Sequence, residues 1–142
     1  MHYLVVDEPS KAIISLQNVL RTDPNHMNAW ESLADAYFNR GSYTSALKAY
    51  DKVLTLSQNT GLYAKLQIAT IKLKLGFYRD AKLALKDVLK LDEKYVPALK
   101  VLAECLLNEA REYLLQGIDL NVIDNCQEAV THLVTAIEES SK

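Results

Sequence analysis

Glycine and proline are scarce in this sequence, with four and three copies among 142 residues. Both residues interrupt helices, glycine by its backbone freedom and proline by its missing N–H group. Their scarcity therefore leaves room for long uninterrupted elements. The length is that of one ordinary domain.

Cysteine is scarce too, and its placement argues against a metal site or a disulfide framework. The two cysteines, Cys105 and Cys126, are far apart and follow no metal-ligand spacing. The three histidines are scattered without paired spacing. The first ten residues lack a basic start and carry Asp7 and Glu8, which is unlike a secretion signal. We therefore expect reduced, buried thiols in an intracellular protein, with no metal and no cofactor.

Charge of one sign and long apolar runs are also missing. The formal net charge is -2 and the sequence pI is about 5.9, whereas binding to a nucleic-acid backbone needs clustered lysine and arginine. No apolar run approaches the ~20 residues that a membrane helix needs. We therefore expect neither direct nucleic-acid binding nor membrane insertion.

Catalytic patterns are likewise absent from the sequence. It contains no glycine-rich phosphate loop and no nucleophile elbow. Two charged sets at helical spacing are read as solvated faces, namely the carboxylates Glu104, Glu109 and Glu112 and the cations Lys82, Lys86 and Lys90, which alternate with aspartates. The sequence therefore predicts no catalytic residues and no enzyme.

What the sequence does contain is an internal repeat. The segment from Ala12 to Leu16 aligns with Ala46 to Tyr50 at an offset of 34 residues. Gly41-Ser42-Tyr43 aligns with Gly76-Phe77-Tyr78 at an offset of 35. Such a period is typical of stacked helix pairs, and of the tetratricopeptide repeat in particular.

The pattern within one unit supports that reading. Trp30, Leu33, Ala34 and Tyr37 lie three or four residues apart and so share one helix face. Gly41 follows at the reversal, and Ala46, Tyr50 and Val53 continue on the second helix. This order of large and small residues resembles the tetratricopeptide repeat (TPR). The predicted fold class is therefore all-α, a TPR superhelix of antiparallel helix pairs.

The repeat divides the chain into four parts. Residues 1–26 are a partial repeat, residues 27–60 and 61–95 are full repeats, and residues 96–142 form a third, lengthened repeat. We expect Asp23 to cap the helix after it, with Pro24 in its first turn, and Ser42 to cap the next helix. The proline that the repeat consensus places before the next unit is Gln58 here, which loosens the helix stop.

The third repeat carries about 14 residues more than a 34-residue unit. Apolar spacing predicts a first helix that continues to Gly117, a tip at residues 118–121, and a second helix capped by Asn121. Tyr113, Leu114 and Leu115 give this overhang more apolar surface than one hairpin face needs. The stripe either joins the two helices of the hairpin or contacts a following repeat or a partner protein.

TPR proteins commonly bind peptides along a groove lined by first helices. The matching positions are Asn28, Glu31, Asp35 and Phe38 in the first full repeat, Tyr63, Leu66, Thr70 and Leu73 in the second, and Pro97, Lys100, Glu104 and Leu107 in the third. TPR co-chaperones that hold carboxyl-terminal tails have Lys and Asn where Glu31 and Asp35 stand here. Two carboxylates repel such a ligand, so a peptide-binding co-chaperone or adaptor is the alternative rather than the main prediction.

Three stretches resemble the large TPR subunit of the superkiller (Ski) complex: Trp30 to Tyr37, Arg40 to Lys48, and Tyr95 to Cys105. The resemblance covers roughly residues 10–138 and implies a scaffold that gathers an RNA helicase and a WD-repeat subunit. The assembly would assist the cytoplasmic exosome in 3′-to-5′ mRNA decay, in the cytoplasm and secondarily in the nucleus. A third alternative is a regulatory or enzymatic protein that carries these repeats beside other domains.

The ends of the chain suggest a fragment. Residues 1–8 are too few for a first helix, and neither end offers a polar capping repeat. The apolar leader His2 to Val6 either covers the first face or pairs with a neighbouring molecule. We therefore expect self-association through uncapped ends at high concentration.

Overall fold

The computed structural model describes residues 2–117, 127, 128, 131, 132, 134, 135 and 138, with residues 2–8 described as backbone alone. All the secondary structure in this part of the chain is helical. The helices whose bounds are defined there are α1 (His2–Thr22), α2 (Met27–Arg40), α3 (Tyr43–Leu56), α4 (Leu62–Lys74), α5 (Tyr78–Leu91) and α6 (Val96–Leu115). None of these helices is long and apolar enough to cross a membrane.

The chain forms two compact units, Met1–Gln67 and Ile68–Lys142, whose boundary falls within α4. In the first unit, α2 contacts both α1 and α3. The core of this unit contains Ile13 and Leu20 from α1 and Leu33 from α2, and Trp30 and Tyr37 pack against that core. The side chains spaced as one apolar face in the sequence therefore do form the contact surface of α2.

Small residues lie where helices approach closely in this unit. Ala34 and Ala46 are fully buried, and Tyr50 is buried to the same degree despite its size. The order of small and large residues in the repeat pattern therefore corresponds to buried positions in this unit. A turn of only two residues, Gly41 and Ser42, joins α2 to α3.

The turn after α2 depends on a left-handed residue. Gly41 has φ 85°, and its N–H donates to the carbonyl of Phe38 at 3.0 Å. The N–H of Ser42 donates to the carbonyl of Tyr37 at 2.9 Å. Two carbonyls that the helix end leaves without a helical partner are thus satisfied, as in other glycine-terminated helices.

The start of α2 differs from the prediction. Asp23 does not cap the helix, because α2 begins at Met27 and the residue before it, His26, is the N-cap. The N–H of Ala29 donates to Nδ1 of His26 at 3.0 Å, which is the bond that a capping side chain makes. Pro24 lies in the preceding turn, where its carbonyl accepts a hydrogen bond of 2.7 Å from the Trp30 indole.

Two other predictions about helix ends are changed by the structure. Ser42 is at the N-cap of α3, but its hydroxyl makes no capping bond and instead accepts from Nε of Arg40 at 3.0 Å. Gln58, in the place of the consensus proline, has φ 56°, and Asn59 has φ 65°. Proline cannot adopt a positive φ, so this chain ends α3 by a different backbone route.

The second unit contains α5 packed against α6. Leu73, Ala81 and Cys105 form a buried cluster there, with Tyr78 and Val101 against it. Gly76, with φ 84°, ends α4 in the same way as Gly41 ends α2. The N–H of Gly76 donates to the carbonyl of Leu73, and the N–H of Phe77 donates to the carbonyl of Lys72. The repeated glycine in the sequence therefore corresponds to a repeated turn.

Two charged residues of this unit were wrongly assigned to solvated faces. Nζ of Lys82 donates to Oε1 of Glu109 at 2.8 Å, and only 7% of Glu109 is exposed. Sequence spacing places both residues on charged stripes, but α5 and α6 bring these two together and cover them. The ion pair therefore links α5 to α6. Each charged group has the other as a partner, where the prediction had placed water.

The prediction of a lengthened α6 is confirmed. It has 20 residues, whereas α2 has 14 and α4 has 13, so it is longer by about two turns, or ~10 Å. Gly117, with φ 77°, follows its end and donates to the carbonyl of Leu114 at 3.1 Å. The predicted tip at residues 118–121, the Asn121 cap and Cys126 lie outside the described residues.

Candidate functional site

Four residues of α2 were predicted to line a ligand groove: Asn28, Glu31, Asp35 and Phe38. Their spacing of three or four places them on one side of the helix. Asn28 is exposed and the other three are half-buried. Phe38 packs edge to face against Tyr43, with ring centroids 5.8 Å apart, so part of its apolar surface is used within the chain.

Asp35 is the centre of a hydrogen-bonded cluster. The hydroxyls of Tyr50 and Tyr63 both donate to Oδ1 of Asp35, the second at 2.8 Å. Nε2 of Gln67 donates to the Tyr63 hydroxyl at 3.3 Å. The two tyrosine rings meet edge to face, with centroids 6.4 Å apart. Asp35 thus connects α2 to α3 and to the first part of α4.

The tyrosines of this cluster remain protonated well above neutral pH. Burial, followed by the hydrogen bond to Asp35, raises the pKa of Tyr63 to about 12. The same two causes raise the pKa of Tyr50 further. Both hydroxyls therefore act as donors to Asp35 at neutral pH, and the carboxylate oxygen that accepts them is held in place.

Glu31 adds a second negative charge beside this cluster. Burial raises the pKa of Glu31, and the nearby charge of Asp35 raises it further. Two carboxylates on one helix face disfavour a ligand that carries its own carboxylate. They favour instead a ligand with donors or positive charge, so the electrostatics of this face oppose the tail-binding chemistry of co-chaperones.

The α4 part of the predicted groove is corrected by the structure. Tyr63 is 38% exposed, and Thr70 is half-buried, but Leu66 and Leu73 are buried. The reason is that apolar side chains are spread over most sides of α4, so packing covers several positions that a one-sided helix would expose. Its buried residues are Ala64, Leu66, Ile68, Ala69, Ile71 and Leu73. Counting from the repeat pattern assigns two exposed positions that tertiary packing covers.

In the second unit, the corresponding positions of α6 are open. Pro97, Lys100, Glu104 and Leu107 are all exposed. Leu107 is the one large apolar side chain of this set. This face is available for contact within its own unit, but its charges are mixed and point to no particular ligand.

The predicted overhang residues differ among themselves. Tyr113 is half-buried and borders a cleft of about 540 Å³ with Phe77 and Glu112. Leu114 is 60% exposed and Leu115 is 86% exposed. The end of α6 therefore presents two adjacent, exposed leucines.

The sequence analysis did not predict the side-chain hydrogen bonds made by Tyr50, His26 and Gln67. Tyr50 was considered only as a large residue of the repeat pattern, but its hydroxyl also donates to Asp35. His26 was read as isolated, but it caps α2. A hydrogen-bonding atom at the end of an apolar side chain was the available signal for Tyr50. Gln67 lies four residues after Tyr63, a spacing that brings their side chains together on α4.

Within the described part of the chain, no group of three histidine, cysteine or acidic side chains could hold a metal ion. Cys105 is a buried free thiol whose Sγ faces the carbonyl of Tyr78 at 3.5 Å. Burial, with the charge of Glu109, raises the pKa of Cys105 to about 11. It is therefore a neutral thiol at physiological pH, unsuited to nucleophilic chemistry.

A family model for the tetratricopeptide repeat matches residues 2–59. The chain is 37% identical to human superkiller complex protein 3 over 138 residues, which are 97% of this chain and 9% of that protein. It is 39% identical to tetratricopeptide repeat protein 37 of Xenopus laevis over 137 residues, with 96% of this chain and 9% of that protein covered. The chain thus spans 9% of the length of these relatives.

A solved structure supports the fold independently of sequence. The crystal structure of the MamA protein superposes with a TM-score of 0.70, covering 99% of this chain and 68% of that one at 19% sequence identity. The matching family is a repeat family and indicates no catalytic activity. The predicted all-α TPR fold class is confirmed. Residues 2–59 match the tetratricopeptide-repeat family, and the predicted resemblance of the chain to the large superkiller-complex subunit is confirmed by the human relative.

Proposed function

We propose that this chain is a segment of a protein-interaction scaffold in a superkiller-type complex. The observation that carries the proposal is the 37% identity to human superkiller complex protein 3 over 138 residues. That match extends over the regular helix pairs and over the lengthened α6. The repeat consensus alone explains the similarity in the regular helix pairs, but it does not explain the similarity in the lengthened α6. The match therefore favours this subunit over a generic repeat protein.

In this proposal the complex assists the cytoplasmic exosome in 3′-to-5′ mRNA decay. The chain's partners are the RNA helicase and WD-repeat subunits, and the helicase supplies ATP hydrolysis. The chain works in the cytoplasm, and secondarily in the nucleus. Its repeats are residues 27–60, 61–95 and 96–142, preceded by a partial repeat at 1–26.

The contact surface that we assign to a partner is the end of α6, formed by Tyr113, Leu114 and Leu115. Leu115 is 86% exposed, and burying such a side chain in an interface contributes roughly 1.5–3 kcal/mol. The half-buried Tyr113 lies beside these two leucines in sequence and supplies a ring with a hydrogen-bonding tip. A partner or a following repeat that covers this surface gains apolar burial without disturbing the core of the second unit.

Affinity capture tests both levels of the proposal. The tagged chain is incubated with extract of cells that express a superkiller complex, and its helicase and WD-repeat subunits are measured in the eluate. We expect both to be recovered. Recovery should fall with Leu115→Asp and persist with Leu83→Asp, because Leu83 is a similarly exposed leucine, at 58%, on α5.

The outcomes separate the two levels. If neither subunit is recovered with the unaltered chain, the assignment to the complex is wrong. If both are recovered equally with Leu115→Asp, the complex stands but the contact surface is elsewhere. Leu115→Asp should leave the unfolding midpoint unchanged, and a large loss of stability would indicate that the leucine packs within its own hairpin.

The alternative function is a TPR co-chaperone or adaptor that binds peptide tails. Glu31 and Asp35 oppose it, because two carboxylates repel a ligand carboxylate and Oδ1 of Asp35 already accepts two tyrosine hydrogen bonds. A titration with an acidic carboxyl-terminal heat-shock tail should show no binding that depends on the terminal carboxylate, so amidation of that terminus should leave the affinity unchanged. A micromolar affinity that is lost on amidation, together with recovery of heat-shock proteins in the capture experiment, would favour the alternative.

A further inference from the structure

A cleft of about 570 Å³ opens between α1, α2 and α3 in the first unit, and we refer to it as the α1–α3 cleft. Trp30, Leu33 and Tyr37 of α2 form its floor. Arg21 lies at its α1 side, and Lys48 and Lys52 lie at its α3 side. Helical periodicity places the floor residues on the side of α2 opposite to Glu31 and Asp35. This cleft is therefore a different surface from the predicted groove.

The charge of the α1–α3 cleft is positive and locally uncompensated. Its lining includes three cations and no aspartate or glutamate. Among the described residues, no carboxylate lies within ion-pair distance of Arg21, Lys48 or Lys52. The chain as a whole carries a net charge of -2, so this positive surface is a local departure from the average. An anionic ligand is the complement that such a surface selects.

The aromatic floor is held in place before any ligand arrives. The Trp30 indole N–H donates to the Pro24 carbonyl at 2.7 Å. The Tyr37 hydroxyl accepts from Nε2 of Gln17 at 3.2 Å, and the Arg40 guanidinium lies 5.5 Å from the centre of the Tyr37 ring. Trp30 and Tyr37 are both half-buried, so part of each side chain remains exposed. A rigid apolar floor lowers the entropy lost on binding.

The size and surroundings favour a peptide over a nucleic acid. The volume lies within the range of pockets that take a ligand of a few side chains. Three cations allow only a few phosphate contacts, and the sequence pI of about 5.9 is far below that of typical nucleic-acid-binding domains. The apolar floor adds a place for an aliphatic side chain, which a phosphate backbone does not supply.

We propose that the α1–α3 cleft binds an acidic peptide segment of a partner protein. Carboxylates of the segment pair with Arg21, Lys48 and Lys52, and an adjacent apolar side chain packs on Trp30, Leu33 and Tyr37. This surface gives the chain a second docking site with its own ligand chemistry. The inference stands apart from membership of a superkiller-type complex, because it rests on the cleft alone.

Trp30 is the only tryptophan in the chain, so intrinsic fluorescence reports directly on the cleft floor. The probe is a short peptide of alternating glutamate and leucine, titrated into the chain at low and at physiological salt. We expect a saturable change in Trp30 emission with micromolar affinity that weakens as salt screens the charges. A peptide of alternating lysine and leucine should cause no saturable change.

The double substitution Lys48→Gln with Lys52→Gln should weaken the acidic peptide by about tenfold or more. The matched control is Lys86→Gln with Lys90→Gln, two exposed α5 lysines that remove the same charge away from the cleft. Lys48 is exposed and Lys52 is half-buried, so circular dichroism and urea unfolding should show both double variants folded.

Three results would overturn the proposal. The first is no saturable fluorescence change with the acidic peptide. The second is an equal loss of affinity in the two double variants, which would indicate general charge attraction. The third is tighter binding of single-stranded RNA with the same sensitivity to Lys48 and Lys52, which would make the cleft a nucleic-acid surface. None of these readouts depends on recovery of helicase or WD-repeat subunits, so the two proposals fail separately.

Discussion

At the scale of single residues, the backbone positions that end helices carry the clearest physical requirement. Gly41 and Gly76 have φ near 85°, and no atom lies within 4 Å of the Cβ that alanine would add at either one. Their requirement is therefore conformational rather than steric. Gln58 and Asn59 adopt positive φ without being glycine, so the end of α3 retains backbone strain that the other two turns avoid.

We predict that Gln58→Gly stabilises the protein by about 1 kcal/mol, because glycine adopts φ 56° without the cost that a side chain imposes. Gln58→Pro should destabilise it, since the ring holds φ near −65°. Urea unfolding followed by circular dichroism measures both changes. As a control, Asp51→Gly in the exposed interior of α3 should lower stability by roughly 0.5 kcal/mol. A stabilising Gln58→Pro would show that the positive φ is not required.

Glu31 yields a pH-dependent prediction. Its folded-state pKa is raised above 4.5 by burial and by Asp35, so the folded state binds its proton more readily than the unfolded state. Its ionised form therefore costs stability, and that cost appears as pH rises through the raised pKa. Glu31→Gln should raise stability slightly at pH 7, by well under ~1 kcal/mol. The gain should vanish below the unfolded-state value of 4.5.

Chemical denaturation at neutral and acidic pH measures this difference. Glu104→Gln on the exposed face of α6 is the matched control, and we expect no comparable gain from it at either pH. A gain from Glu31→Gln that persists in acid would contradict the electrostatic explanation.

At the scale of elements, α5 and α6 are joined by one largely covered ion pair as well as by apolar packing. Nζ of Lys82 lies 2.8 Å from Oε1 of Glu109, and 24% of the Lys82 side chain and 10% of the Glu109 side chain are exposed. Their partial burial makes removal of one partner costly, because the remaining charge is poorly solvated. The contrasting pair Lys90–Asp87 spans 3.9 Å at an exposed site.

We predict that Lys82→Ala lowers stability by about 2 kcal/mol or more, whereas Lys90→Ala changes it by about 0.5 kcal/mol at most. The double variant Lys82→Met with Glu109→Leu should be more stable than Lys82→Ala, since it leaves no buried charge. Thermal and urea unfolding of the unaltered chain and of the three variants measure these differences in stability. Equal effects of Lys82→Ala and Lys90→Ala would show that the covered pair is solvated in solution.

At the scale of the whole molecule, exposed apolar side chains predict self-association. Ile14 of α1 is 60% exposed, on a helix whose other side packs against α2. We expect the mass from light scattering to rise as the concentration approaches millimolar. Ile14→Lys should reduce that rise, whereas Leu83→Lys, at a leucine that is 58% exposed on α5, should not. A strictly monomeric mass at millimolar concentration would refute the prediction.

Much of the helical framework could be read from the sequence because its signals are local. The spacing of Trp30, Leu33 and Tyr37 reveals a helix face, and the recurring glycines at 41 and 76 reveal equivalent turns. The apolar spacing from Val96 onward predicts the long α6 for the same reason. These patterns depend on 3.6-residue periodicity and on the conformational freedom of glycine, which act within a few residues of each other.

The candidate surfaces depended on contacts between distant residues. Leu66 and Leu73 fit exposed repeat positions, but packing around an apolar α4 buries them. Lys82 and Glu109 are 27 residues apart, as are Tyr78 and Cys105, and no local pattern pairs them. Arg21, Lys48 and Lys52 belong to two helices that flank a third, so their common cleft has no signature in sequence spacing.

The sequence by itself determined the helix-pair architecture, the glycine turns after α2 and α4, and the resemblance to a repeat family, because periodicity, turn residues and repeat spacing act over short distances along the chain. Only the tertiary structure decided which side chains are covered, which charges pair, and where an uncompensated positive cleft opens. Those properties depend on the distances between helices that are far apart in sequence. Burial changes the free energy of a charged side chain far more than the position of that residue within a repeat does.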